Sequence, residues 1–558
     1  MHFPHILVAT TTLAVAVSSS YAPVPATCPS TALVRASTTS LSDDEEAYRV
    51  VRKIGADSYL RTWLLETLGF FSAIEGDLPT IGLTSSGGGF RAMLIGAGVI
   101  QALDDRDSNS SVNGLYQALS YHSALSGGSW LLSSIASNDW PKISSLVETW
   151  KPALANGLFA PGGSDNATLY DSINEDLGNK TAAGFQTVAV DAWSRLLSWQ
   201  LLPGANGGVN NALSDIPSKP RFLLRIVPYP IITAQAVDLN GTVCVPPADA
   251  AHWEFTPYEF GSWDPAVGAF TPSKYLGSSL SSGKPVNSSS CFTKYDNLGY
   301  VLGTSSALFN DPGLGTDQVY DATFANFCTI PNATATTTDT DTTALNAGVA
   351  RMLTIPNVRV QSVADLYAPW PNPFYNLASA SQVSAAKTLS MVDGGESGQI
   401  NPIFPMLLPA RKVDVIIVND NTDGNNNFPS GQEIVNTYNA AKDAGMTRMP
   451  YVPPFETFRA QNLTSHPVFF GCHNDTVATI VWVPNAPFTS IGGNTSTNKM
   501  QYSEAETAAM VANGAAVMSQ NNSVDWAKCL ACAFIDKISA TNLPSVCTGC
   551  FTQYCFNP

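Results

Sequence analysis

The sequence predicts an α/β protein with a largely parallel central sheet, and three stretches carry that prediction. Two are successive strand, glycine turn, helix units. In the first, Ile81 and Leu83 lead into Gly87-Gly-Gly89 and a small-residue helical pattern from Met93 to Leu103. In the second, the apolar run Leu115 to Leu125 leads into Ser126-Gly-Gly-Ser-Trp130 and another helical stretch. The third is Val413-Asp-Val-Ile-Ile-Val418, a short β-branched run of the kind that forms strands buried on both faces. Strands alternating with helices in this way build a parallel sheet covered by helices.

Taken in order, the chain opens with an apolar run, Ile6 to Val17, that is too short to span a bilayer and is followed by small residues from Ala16 to Ala22. Residues 1–20 are therefore expected to be a secretory signal peptide, although His2 and His5 stand where Lys or Arg is usual. Residues 21–42, rich in Pro, Ser, Thr and Ala, are expected to form an N-terminal arm. Asp43-Asp-Glu-Glu46 is a helix start, and the pattern continues through Trp63 and Leu64. One catalytic domain is expected over 43–558, since no long polar linker divides it and no repeat is visible. The middle, from about 140 to 380, is rich in Trp, Pro, Asn and Gly without a clear period. It is expected to supply irregular loops, lids and short strands around the core, with the Thr-rich tract 334–343 as an exposed loop.

Composition points to the compartment. Charged residues make up 13% of the 558, well below the usual quarter, and Ser, Thr and Asn replace them. Ten N-x-Ser/Thr sequons, at Asn109, Asn166, Asn179, Asn240, Asn287, Asn332, Asn462, Asn474, Asn494 and Asn521, fit a secreted glycoprotein. Half of the ten cysteines crowd into the last thirty residues. Cys529-x-x-Cys532 with Cys547-x-x-Cys550 has zinc-ribbon spacing, but in an oxidising compartment the same pattern is a disulfide-stapled tail. The net charge of −16 argues against nucleic acid and anionic membranes as partners. The C-terminus Gln553-Tyr-Cys-Phe-Asn-Pro558 lacks an apolar tail, so no GPI signal is expected and the product is expected to be extracellular.

The glycine turn is an anion site by construction, because unpaired N–H groups and the positive end of a helix dipole converge there. A nucleotide P-loop needs Gly-Lys-Ser/Thr after the glycines, and Phe90-Arg91-Ala92 does not supply it. Gly87-x-Gly89-x-x-Ala92 does fit dinucleotide spacing, yet no strand ending in an acidic ribose ligand follows about twenty residues on. The third possibility is an oxyanion hole, in which each donor is worth roughly 10²–10³ in rate; an isolated triple glycine is otherwise a helix-packing turn.

An oxyanion hole needs a nucleophile. In Ala124-Leu-Ser-Gly-Gly128, Ser126 sits at a strand-to-helix elbow, with small residues two before and two after it, as the strained turn requires. The N–H of Gly127 is a further donor. The mature region offers His122, His252, His466 and His473 as bases; His122, four residues before Ser126, is expected to point away. The carboxylate that stands out is Asp393 in Met391-Val-Asp-Gly-Gly-Glu396, although an Asp-Gly-Gly turn by itself is far more often a plain Asx turn than a catalytic site.

Together, Ser86-Gly-Gly-Gly-Phe-Arg-Ala-Met93, Leu125-Ser-Gly-Gly-Ser-Trp130 and Val392-Asp-Gly-Gly395 resemble the fungal lysophospholipase/phospholipase B family, relatives of cytosolic phospholipase A2. The resemblance extends to Glu259-Phe-Gly-Ser-Trp-Asp264, Gly303-Thr-Ser-Ser306, Leu308-Phe-Asn310, Val483-Pro-Asn-Ala-Pro487 and the cysteine-rich end. It implies a three-layer patatin-like core and hydrolysis of fatty-acyl esters of phospholipids and lysophospholipids at membrane or micelle surfaces. It also implies roles: Ser126 as nucleophile, Asp393 as base in a dyad without histidine, Gly88 and Gly89 as oxyanion hole, and Arg91 as phosphate contact. No cofactor, metal or obligate protein partner is expected. The departures are Ala124 for the usual glycine, and Glu396-Ser397 where an acidic pair is common. Two other readings stay open: a Ser126, Asp393, His466 or His473 esterase triad, and a non-catalytic secreted storage or surface glycoprotein.

Overall fold

The computed structural model describes residues 21–557 apart from 38, 70–76, 240–244, 311–338, 491–492 and 539–542. The signal-peptide expectation, two sequons (Asn240, Asn332) and two cysteines (Cys244, Cys328) lie outside the described residues.

Helix α1 (Asp43–Leu68) begins where the acidic cluster predicts, its first turn capped by the Ser42 side chain on the Glu45 N–H. Strand β1 (Ile81–Ser85) runs into α2 (Gly89–Leu103), and β2 (Leu119–Ala124) into α3 (Gly127–Ser137). Strand β3 (Tyr229–Val237) follows; then come helices α4 (Leu298–Thr304) and α5 (Thr340–Met352) and strand β4 (Thr388–Val392). The core closes with β5 (Val415–Asp420), β6 (Thr479–Pro484) and helix α6 (Glu504–Ser519).

Five strands lie parallel in the order β6, β5, β1, β2, β3. Antiparallel strands extend both edges, with Val468–Phe470 beside β6 and a meander of His252–Phe255, Glu259–Ser262 and Ala269–Pro272 beside β3. The largely parallel centre is as expected; the mixed edges come from the middle of the chain. That middle is also more regular than its composition suggested, holding helices Ile143–Asn156, Asn166–Ala182 and Ala189–Leu201 as well as the central strand β3. Pro228 and Pro230 mask β3 in the sequence; Pro230 sits near the strand's start, where a missing N–H is tolerated. The Thr-rich tract is not wholly loop, because Asp339 caps α5 and Thr340–Thr343 form its first turn.

The sequence places the N-terminal arm outside the catalytic domain, but the arm is tied to it. Val24–Ala26 pairs with Cys291–Thr293, Arg35–Ala36 pairs with the end of the meander, and Cys28 is bonded to Cys291. Arg411 anchors α1 from inside: its buried guanidinium meets the carboxylates of Glu45 at 2.7 Å and Glu254 at 2.6 Å, so no charge there is left unpaired in low dielectric. In the tail, Cys529 pairs with Cys550, Cys532 with Cys547, and Cys472 with Cys555. The zinc-ribbon spacing is thus taken up by nested disulfides, Cys532–Cys547 inside Cys529–Cys550.

Helices α2 and α6 pack at backbone distance through glycine. A Cβ at Gly98 would lie 1.9 Å from the Val511 oxygen, and one at Gly514 would lie 2.0 Å from the Ile95 oxygen. Gly55, inside α1, meets nothing within 4 Å. Gly98→Ala should therefore destabilise by more than about 2 kcal/mol through overpacking, whereas Gly55→Ala should stabilise by roughly 0.5–1 kcal/mol through lost unfolded-state freedom. Urea denaturation of both variants checks the pair; equal effects would mean the helix contact is looser than described.

Candidate active site

The site is built where two strands stop. β2 pairs with one edge of β3 as far as Ala124 opposite Ile232. Gln235 of β3 pairs with His252 on the meander side and with Val392 of β4 on the other. β4 therefore occupies the same edge as β2, running the opposite way. The two C-terminal ends face each other across Thr233 and Ala234 of β3, three residue steps or roughly 10 Å at strand rise. Ser126 turns off the end of β2 and Asp393 off the end of β4.

Ser126 has φ 52° and ψ −122°, a strained conformation for a residue with a side chain, as a strand-to-helix elbow demands. Ala124 does not prevent it; its methyl is fully buried in the sheet. The glycines after Ser126 are needed for close approach. A Cβ at Gly127 would sit 2.0 Å from the Gly89 oxygen, and one at Gly128 would sit 2.2 Å from the Ser85 oxygen. Gly88, the N-cap of α2, has φ 127°, and Gly89 has φ 60°. Gly87 is tied by its N–H to the Ile400 oxygen at 3.2 Å. The N–H groups of Gly88, Gly89 and Gly127 have no protein acceptor among the described residues. Three donors around one serine are thus free to receive an anion.

Asp393 is buried, and its Oδ1 accepts the Gly395 N–H at 2.8 Å. Burial pushes its carboxyl up to about 6, while hydrogen bonds from the Ser126 hydroxyl and the Gly395 N–H pull the other way. It is thus a carboxylate that is ionised near neutrality yet basic enough to take a proton. The Glu396-Ser397 departure is absorbed locally: Glu396 accepts the Asn310 amide at 2.6 Å, and the Ser397 hydroxyl donates to Gln235.

Each of the four described histidines has other company. His122 points into the sheet, its Nε2 2.9 Å from the Ser85 hydroxyl, and burial holds its pKa down at about 3. His252 stacks on Phe404. His466 packs by Tyr554, and His473 pairs with Asp536 at 2.8 Å against Phe551, both in the disulfide-rich tail.

Arg91 lies fully buried behind the glycine turn. Its Nε and Nη2 donate to the Asn421 oxygen at 3.1 and 3.0 Å, and its Nη1 donates to the Thr495 oxygen at 2.7 Å. Three of the five guanidinium donors are therefore engaged inside the protein, and the Asn421 oxygen would be 2.7 Å from a Cβ on Gly88. In this arrangement the guanidinium braces the turn.

An apolar slot of about 50 Å³ opens at Ser126 and Gly89, lined by Trp130, Trp193, Phe309 and Met500, with Leu345 and Val349 of α5 as its wall. The sequence assigned no role to Trp193, Ser305, Asn421 or Thr495, which frame the site. The one available signal was Gly303-Thr-Ser-Ser306, a stretch of resemblance without a stated purpose.

Residues 81–558 match the family model described as lysophospholipase catalytic domain. The chain is 34% identical to "Probable lysophospholipase 3" of Schizosaccharomyces pombe over 96% of its own length and 82% of the relative's. It is 33% identical to "Lysophospholipase 1" of Candida albicans over 100% and 92% of the two lengths, and 33% identical to "Lysophospholipase 2" of Aspergillus fumigatus over 96% and 93%. Among solved structures, human GIVD cytosolic phospholipase A2 superposes with a TM-score of 0.68 at 18% identity, covering 90% of this chain and 69% of that one, a likeness of fold. A strained serine beside a buried aspartate and unpaired glycine N–H groups thus comes with a family match over most of the chain: this protein belongs to the lysophospholipase catalytic-domain family of ester hydrolases.

Proposed function

We propose that the protein is a secreted, glycosylated phospholipase B or lysophospholipase that cleaves fatty-acyl esters through Ser126 and Asp393. The reading is supported by the facing ends of β2 and β4, from which Ser126 and the buried Asp393 extend, and by the Ser126 hydroxyl acting to lower the Asp393 pKa. In this mechanism Asp393 takes the Ser126 proton as the oxygen attacks the acyl carbonyl. The tetrahedral oxyanion forms toward the N–H groups of Gly88, Gly89 and Gly127. Collapse returns the proton to the leaving glycerol oxygen, leaving an acyl-Ser126 ester. A water, deprotonated by Asp393, then attacks the acyl carbonyl; collapse breaks the bond to the Ser126 oxygen, which takes the proton back from Asp393 as the fatty acid leaves. The slot past Trp130 and Trp193 is far too small for a whole acyl chain, so chain entry displaces Leu345 and Val349 and shifts α5. Secretion draws support from the four described disulfides and from the exposed sequon residues Asn109, Asn179, Asn287, Asn462, Asn474 and Asn521. Asn494 is half-buried, and Asn166 is buried, its amide on the Phe159 oxygen, and is expected to stay unglycosylated.

Ser126→Ala and Asp393→Asn should each lower lysophospholipid hydrolysis by at least roughly 10²–10⁴-fold while the protein stays folded. The double variant His466→Gln/His473→Gln should retain activity; its inactivity would restore the histidine triad. Failure of an alkyl fluorophosphonate to label Ser126 would instead revive the non-catalytic reading.

Because Asp393 must be ionised to act, kcat/KM should rise through about pH 6 and then level off. The sign for stability is opposite. The folded pKa lies above the unfolded one, so Asp393's contribution is full below about 4 and is lost as pH rises through about 6. Asp393→Asn should therefore gain thermal stability relative to wild type between pH 4 and 7 while losing activity. A difference in Tm that is flat with pH would contradict the buried, raised carboxyl.

Arg91 distinguishes two roles. As a brace for the turn, Arg91→Lys should slow hydrolysis of a phospholipid and of an uncharged ester alike; as the phosphate contact implied by resemblance, it should slow the phospholipid far more. Paired assays on lysophosphatidylcholine and a monoacylglycerol read the ratio, and the internal hydrogen bonds of Arg91 favour equal losses.

A further inference from the structure

Between the facing ends of β2 and β4, two residues of β3, Thr233 and Ala234, lack a strand partner on that edge, and the turn after α4 fills the gap. The Ser305 hydroxyl donates to the Thr233 oxygen of β3 at 2.8 Å. The N–H of Ser126 donates in turn to the Ser305 hydroxyl at 3.0 Å and to the Ser305 carbonyl at 3.1 Å. Two residues on, the Ala307 carbonyl accepts the N–H of Asp393 at 3.0 Å. Between them, the Ser306 hydroxyl receives the indole N–H of Trp130 at 2.9 Å and of Trp193 at 3.1 Å, and donates to the Leu302 oxygen.

We propose that Ser305–Ala307 is the gauge that sets the separation of Ser126 from Asp393, and that Ser305 is a positioning residue acting through the Ser126 backbone. Ser306, beside it, fixes the two indoles and so shapes the acyl slot. The inference rests on the proposed serine and aspartate chemistry. The physical case is specific. Ser126 holds a strained backbone whose buried N–H must be satisfied, and Ser305 satisfies it twice. Ser305 is itself pinned to β3, the strand against which both site strands are registered. With Ala307 on the Asp393 N–H, both reacting residues hang from one short rigid segment by their main chains. Misplacement of about 1 Å in such a pair can cost roughly 10²-fold in rate.

The test compares Ser305→Ala, Ser305→Cys, Ser306→Ala and Ser126→Ala with wild type on a series of lysophosphatidylcholines of increasing chain length. Ser305→Ala should lower kcat by about 10–100-fold with KM unchanged. It should also move the acid limb of the pH profile upward, because the Ser126 hydroxyl that lowers the Asp393 pKa is no longer held in place. Ser306→Ala should alter KM and chain-length preference and leave the acid limb alone. Should Ser305→Ala fail to fold, Ser305→Cys, close in size but a weaker acceptor, should show the same shifts in smaller measure. An active wild type and a dead Ser126→Ala, with wild-type kcat and acid limb in the folded Ser305 variants, would overturn the gauge alone. Activity surviving in Ser126→Ala would overturn the underlying chemistry.

Discussion

The α-carbon of Gly127 rests on the peptide of Gly89, with no room for a single methyl between them. The contact joins the turn after β2 to the turn after β1, two adjacent strands that both end at the same level of the sheet. Because the turns touch through backbone and neither carries a side chain there, Gly89 and Ser126 both border an open slot. Gly128 against Ser85 repeats the constraint one residue further on. Everything else around the site follows from keeping these two turns pressed together. Arg91 draws Asn421 and Thr495 over the first turn, Ile400 holds Gly87, and α6 packs glycine to backbone against α2, the helix that begins in that turn.

Burial then decides the chemistry available. A buried guanidinium facing carbonyl oxygens keeps its charge without a carboxylate partner, and it lends positive potential to the rear of an anion site from which water is largely excluded. Asp393 feels the opposite consequence of the same environment, with desolvation pushing its carboxyl toward neutrality. The imidazoles of His122 and His252 are driven neutral by burial. Within hydrogen-bond reach of Ser126, the carboxylate is the group poised to exchange a proton near physiological pH.

The parallel centre of the fold was legible because its strands announce themselves: β-branched runs ending in glycine turns, with helices of small residues behind them. So was the elbow, since its geometry restricts residue types at Ser126, Gly127 and Gly128 whatever surrounds them, whereas Asp393 took its role only from the family resemblance. Strand β3 was not legible. Its register with β2, the meander and β4 is long-range, and Pro230 at its start reads locally as a break. Arg91 was legible as an important charge, but its direction was not. Whether a guanidinium faces a ligand or a carbonyl depends on Asn421 and Thr495, over 300 residues away in sequence. Ser305 was invisible for the same reason, being one serine among many until β3 places it under the elbow.

The strand arrangement bears on how the proposed dyad would work without a histidine. In a histidine triad the imidazole spans the distance between a carboxylate and a serine set on separate loops. Here β2 and β4 run toward each other along one edge of β3, so the carboxylate arrives at the hydroxyl directly and the span has already been closed by the sheet. A direct contact has less tolerance than a bridged one, because a planar ring can tilt to absorb error and a short aspartate cannot. The requirement for placement therefore passes from side chains to main chain: to the register of β3, which fixes both strand ends, and to the turn lodged between them.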